Sequence, residues 1–296
     1  VGTFNYIQET NKAPAPLTVN TGTGLVTING AVGGVKPLAS VTINAALTLG
    51  SSADRIVTAG NQTVTGAFTT GAATTILDSQ GNASNGNTMS IPATTGNGTI
   101  SLGSVASSGK NLTIYTGTAT FALPATSVAA LTINSANTGS SAVTQSGALT
   151  ASGTLTLNAA SAGVMTLSNA SNAITGNITV NTGTLKISGS SPLGTSNSYA
   201  GTLSVSSGAT FDWQSTANQT FSVLGAGGAT GIIGFNASSG TVTINGGALD
   251  LNGKTVTNAL SITGTGFGGN GVIINSSATA GEVTGTVVMT AASSIG

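Results

Sequence analysis

The sequence predicts an all-β chain wound as a right-handed parallel β-helix, a β-solenoid of about 18–21 residues per coil. Three observations predict it. Apolar residues return at a near-constant interval, polar residues alternate with them, and turn-forming residues stand where each short strand should end.

The interval comes first. Leu131, Leu149, Leu167, Leu185, Leu203 and Phe221 follow one another at a constant step of 18; the next step is 21, to Val242, and then 18 again, to Leu260. A fixed advance of this size is the mark of a repeat whose units must stack to bury their apolar side. These eight positions are the predicted structural core ladder.

The alternation comes second. Most of these positions have an apolar partner two further on, as at Ile133, Ile187, Val205, Ile244 and Ile262, with Thr132, Lys186, Ser204, Thr243 and Ser261 between. Successive strand side chains point to opposite faces, so each segment has one buried and one exposed face. "NITVN" and "GTLKI" follow each other closely, which adds further strands within one coil.

The turns come third. Asn follows the last apolar residue of a strand at Asn20, Asn29, Asn44, Asn134, Asn158, Asn181, Asn245, Asn252 and Asn275. Asn tolerates a left-handed backbone and bonds neighbouring main chain. Stacked coils would line such residues up as ladders. "ATSVAALTI" (125–133) reads as a short turn or as strand, because both periods fit it.

The coils read as most regular over 110–290. Before position 110 bursts such as "LTVN", "GLVTIN", "SVTINAALTL" and "QTVTG" predict the same solenoid with loop insertions, one of them at 77–88. The segment 1–16 reads as an entry or linker, because Pro cannot donate to a strand ladder. The whole of 1–296 reads as one solenoid domain. The chain opens at Val1 without Met or a secretion leader, which is the look of a mature or excised piece.

Composition excludes several function classes. Six Lys/Arg balance six Asp/Glu, there is no His and no Cys, and 4% of residues are charged, against about 25% in ordinary soluble domains. No basic patch exists for nucleic acid, and no apolar run approaches the roughly 18 residues of a membrane span. Ser-His, Cys-His and His-metal chemistry is out of reach. No two acids are close neighbours in the chain, and calcium loops need several. The expectation is therefore no enzyme, no catalytic residue, no cofactor and no metal.

"GTLSVSSGATFDWQSTANQTFSVLGAGG", with "GALDLNGKTVTNALSITGTGFGGNGVIINS", resembles the passenger-associated repeats of bacterial autotransporters. The match spans 178–277. The chain as a whole is also similar to filamentous-haemagglutinin-like exoproteins. The resemblance implies an extracellular structural or adhesive rod at the bacterial cell surface, secreted, with a host or cell-surface receptor or glycan as partner. Zero net charge and the unpaired strands of open solenoid ends predict further copies as partners, joined laterally or end to end as a fibre or filament subunit.

Four other features each carry two readings. Asp212 and Asp250 occupy matching outward positions two coils apart, roughly 9–10 Å by strand spacing, near the carboxyl separation of inverting glycosidases. They read more simply as ordinary outward residues. Trp213, with Tyr115 and Tyr199, could make a sugar-stacking platform, but alternation sends Phe211 and Trp213 to the core. Thr166, Thr184, Thr202, Thr220 and Thr241 precede successive ladder positions and suggest an ice-binding hydroxyl array, interrupted by Lys186. Nine sequons, at Asn61, Asn82, Asn97, Asn111, Asn169, Asn177, Asn218, Asn236 and Asn275, leave glycosylation open.

Overall fold

The computed structural model describes residues 2–4, 14–81, 98–107, 109–189, 193, 198–206, 209–213, 220–225, 232–234, 241–245, 248–251, 255–256, 259–266, 269–275 and 278–296. The fold is a β-solenoid of parallel strands, with no helical element longer than a turn among these residues. The chain divides into two compact units, Val1–Ser152 and Gly153–Gly296.

Among the described residues the first unit holds three parallel sheets. One lays Gly2–Phe4, Pro16–Ile28, Ser40–Leu49, Gln62–Thr70, Ile100–Ser107, Thr126–Val128 and Leu149–Ala151 side by side in chain order. The second does the same with Arg55–Val57, Thr74–Asp78, Asn111–Thr116 and Leu131–Ser135; the third pairs Phe121–Leu123 with Val143–Gln145. Each coil therefore visits one sheet after another, and each strand pairs with its counterpart one coil away.

The core consists of files of inward side chains. Val19, Ile43, Val64 and Leu102 stand in register on the first sheet, as do Val26, Leu47, Phe68 and Val105. Leu77, Ile114 and Ile133 form a file on the second. Ile43, Leu47, Phe68, Ile114 and Ile133 have no exposed surface. Full burial of one such side chain is worth about 1.5–3 kcal/mol, and stacking like on like at about 4.8 Å leaves few voids.

The second unit repeats the scheme. Leu155–Ala159, Ile178–Thr182, Ser198–Val205 and Thr220–Gly225 form one sheet; Val164–Leu167, Thr184–Ile187, Thr210–Trp213, Ile232–Gly234, Ala248–Asp250 and Ile273–Ile274 form another. Thr241–Asn245, Ala259–Gly264 and Val287–Ser293 make a third, and Thr255–Val256 pairs Glu282–Val283. One register file runs from Met165 through Leu185, Phe211, Ile233 and Leu249 to Ile273.

The predicted ladder residues do not make one file. Leu131 pairs Leu112, Leu149 pairs Thr126, Leu167 pairs Ile187, Leu185 pairs Met165 and Phe211, Leu203 pairs Ile178 and Leu224, and Phe221 pairs Tyr199. Only Val242 and Leu260 are partners at the predicted step of 18. The reason is geometric. Most register steps are longer than that and uneven, from the short one between Ile232 and Ala248 to the long one between Gln62 and Ile100. A strict count of 18 therefore slips backwards around the coil from one sheet to another. The side chains still point inward, because every sheet obeys the same alternation: Leu131, Leu149, Leu167, Leu185, Leu203 and Leu260 are at most 1% exposed. The side chains of Phe221 and Val242 lie outside the description.

Three other expectations meet the structure here. Gln62 pairs Ile100, a step of 38; the insertion falls after Asp78, where a loop is expected, and 82–97 lie outside the described residues. The opening segment contributes a strand, Gly2–Phe4, paired with Val26–Ile28, and Pro16 sits at the first position of its strand, where a missing N–H is tolerated. The stretch 125–133 is strand, Thr126–Val128 and the start of Leu131–Ser135.

Candidate functional site: a neutral hydroxyl face and a carboxylate column

The inward residues of the first unit are spent on the core, so recognition falls to the outward ones. On the first sheet these build a regular face. Thr18, Thr42, Thr63 and Ser101 stand in register on four neighbouring strands. A second rank runs Thr27, Thr48 and Thr69, with Thr3 the register partner of Thr27. Between the ranks Asn20 pairs Asn44, and Leu25 pairs Ala46.

Along Ser40–Leu49 the outward residues are Ser40, Thr42, Asn44, Ala46 and Thr48, alternating with buried Val41, Ile43, Ala45, Leu47 and Leu49. Columns on such a strand lie about 6.6 Å apart and neighbouring strands about 4.8 Å. The four strands Pro16–Ile28, Ser40–Leu49, Gln62–Thr70 and Ile100–Ser107 contain no Asp, Glu, Lys or Arg, and their one aromatic residue, Phe68, is buried. The Asn44 amide donates to the Asn20 side-chain oxygen, the ladder expected from the Asn positions. Asn181 donates to Asn158 in the same way in the second unit, at 2.9 Å.

The Thr array expected from the regular spacing is dissolved by the register. Thr166 pairs Lys186, Thr184 pairs Val164 and Thr210, and Thr202 pairs Val223. The core period misses the hydroxyl face of the first unit. Its signal stands in "LTVN", "VTIN" and "TVTG", whose Thr18, Thr42 and Thr63 share a strand context but follow a longer, uneven step.

In the second unit Thr166, Lys186, Asp212, Gly234, Asp250 and Ile274 share one column. Asp212 and Asp250 are thus two strand spacings apart with Gly234 between them, which agrees with the sequence geometry. Lys186 stands one strand from Asp212, a neighbour the sequence spacing does not reveal. An opposite-charge cross-strand pair is worth about 0.2–1 kcal/mol. The side chains of Asp250 and Trp213 lie outside the description. Tyr199 is fully buried, its hydroxyl donating to the Gly176 carbonyl at 2.9 Å, so it offers no platform for sugar. Tyr115 is half-buried, and burial, with the Asp78 charge second, raises its phenol above the ordinary range.

A third cluster lies inside the first unit, where the second sheet ends. Thr58, Asp78, Ser79, Gln80, Thr116, Asn134 and Ser135 are all buried, as is Gln62. The Gln62 amide nitrogen donates to Ile56 O (3.0 Å), Thr58 Oγ1 (3.2 Å) and Asp78 O (2.8 Å). Ser79 Oγ donates to Gly98 O at 2.8 Å, and the Gln80 amide to Thr116 O. Gln62 Oε1 and Thr116 Oγ1 have no partner. The cluster closes a corner by satisfying backbone carbonyls.

At the surface Asp54 and Arg55 make a paired contact, 2.7 and 3.1 Å, which holds the Asp54 carboxyl below its usual range. Among the described residues no three His, Cys, Asp or Glu side chains come together, and no helix is long and apolar enough to cross a membrane. Of the sequons, Asn61, Asn111, Asn177 and Asn275 are exposed and Asn169 is half-exposed. Asn82, Asn97, Asn218 and Asn236 lie outside the described residues.

Residues 109–181 match the family described as "Repeats of unknown function (DUF5649)". No curated protein and no solved structure matches the chain. The match and the fold together define a repeat-containing β-solenoid protein.

Proposed function

We propose that this chain is the structural and adhesive rod of a secreted bacterial surface protein, akin to autotransporter passengers and haemagglutinin-like exoproteins, and that it carries no catalysis. The observation that carries the reading is the parallel ladder itself. Every described sheet is parallel, and its inward files are largely apolar. The outward residues of the first sheet are mostly small and neutral. That construction serves extension and surface display, and an uncharged surface responds little to salt. Zero net charge also removes the repulsion that keeps copies apart, so lateral or end-to-end association belongs to the same proposal, as does a host receptor or glycan as partner.

Electron microscopy and solution scattering on the purified chain test it, with surface labelling of cells that produce the full protein. Elongated particles and extracellular label are expected. Compact globular particles, or label only in permeabilised cells, would overturn it.

A further inference from the structure

We propose that the outward face of the first sheet in the first unit binds the surface of ice. The inference stands on the register of that face and goes beyond display and adhesion. Its two hydroxyl ranks, Thr18–Thr42–Thr63–Ser101 and Thr27–Thr48–Thr69, repeat at the strand spacing of about 4.8 Å.

Three properties favour ordered water over other occupants. The first is chemistry. Each Thr hydroxyl has one donor and two acceptor positions, and water in a lattice needs both. The β-branched side chain has few rotamers, so hydroxyls on a fixed strand ladder keep a fixed spacing, and ordering them costs little entropy. The second is neutrality. The four strands carry no ionisable side chain, so no charge imposes its own hydration shell on the adjoining water. Neutral face meets neutral lattice. The third is the lack of what other partners require. No aromatic residue of these strands points outward to stack on a sugar ring. In the columns between the Thr ranks only Leu25 is a large exposed apolar residue. Two copies stacked face to face would therefore bury little apolar area, which a stable dimer needs.

The face lies within one unit, and its longest strand, Pro16–Ile28, has 13 residues. A ten-residue strand measures about 33 Å, so the contact is broad enough for many weak, periodic contacts to act together.

Thermal hysteresis of the purified chain, and its incorporation into a growing polycrystalline ice hemisphere, test the proposal. The unaltered chain is expected to enter ice and to show a freezing gap that grows with concentration. Thr48→Lys with Thr63→Lys should lower the hysteresis at least tenfold. Thr113→Lys with Thr132→Lys, outward on the second sheet, should leave it within twofold. Thr48→Val, which keeps shape and loses the hydroxyl, guards against misfolding by the lysines and should give an intermediate loss; circular dichroism checks that each variant is folded. Exclusion of the unaltered chain from ice would overturn the proposal. So would equal loss in both lysine pairs, or a dimer abolished by the first-sheet lysines without any hysteresis. None of these outcomes bears on particle shape or surface label, so the adhesive-rod reading is judged separately.

Discussion

Gln62 offers the sharpest test of how the interior is held. It stands in the inward file between Val41 and Ile100, 2% exposed, and its amide nitrogen donates to three oxygens. Gln62→Glu keeps the shape, removes the donors, and points an acceptor-only group at those oxygens when ionised. The lost hydrogen bonds cost about 1–3 kcal/mol. The acid must also stay protonated in the folded chain, against an unfolded pKa of about 4.3. Its folded pKa is raised, so the folded state holds more protons above that point, and stability falls as pH rises, by about 1.4 kcal/mol per unit. From pH 4.3 to 7 this adds about 3.7 kcal/mol, for a total of about 5–7 kcal/mol at neutrality. Below about pH 4 the acid is mostly protonated in both states and only the hydrogen-bond loss remains. Gln62→Leu should cost about 1–3 kcal/mol at every pH, because it also removes the orphaned Oε1. Urea denaturation from pH 3.5 to 8 reads both variants. A pH-independent Gln62→Glu, or one equal to Gln62→Leu at neutrality, would refute the assigned donor role.

Three further outcomes follow from the same geometry. Ile43→Ala, at a fully buried position between Val19 and Val64, should lower stability by about 2–5 kcal/mol in urea titration. Gly176→Ala would push its methyl into the Gly153 carbonyl, at a corner where a Cβ on Gly201 would in turn meet the Gly176 carbonyl; overpacking of this kind costs about 1–3 kcal/mol, seen as a lower denaturation midpoint. Alkaline titration should show stability flat from pH 6 to 9, for want of His and Cys, then falling above about pH 10. Burial raises the Tyr199 phenol, and burial with the Asp78 charge raises that of Tyr115; both therefore ionise first in the unfolded chain, and the stability present below their unfolded pKa is lost as pH rises through it.

Fold class is legible because alternation is a local signal. Leu131–Thr132–Ile133 is buried, half-buried, buried in the structure, as its pattern says. Strand direction is legible too, because a short constant advance leaves room only for parallel stacking. Coil length is not. Leu155 pairs Ile178 and Ile178 pairs Leu203, steps of 23 and 25, while Met165 to Leu185 takes 20 and Ile232 to Ala248 takes 16. Corners of a solenoid face solvent, and there a residue more or less costs little. The apolar count of 18 persists because every sheet turns the same kind of residue inward.

That distinction explains which surface features the sequence discloses. Asp212 and Asp250 align through their "GATFDW" and "GALDLN" contexts, and those contexts preserve register whatever the corner lengths, so the column matches the expectation. Thr166 and Thr184 align only by counting; the register step there is two residues longer, which keeps the face but changes the neighbour, so Lys186 stands where the next Thr is expected. The hydroxyl face follows the same logic in reverse. Thr18 and Thr42 share the context L/V-T-V/I-N at a step of 24, and Thr63 keeps V-flanked alternation at a step of 21. Outward function in such a chain is therefore written in strand context, column by column, and a period measured on the core does not locate it.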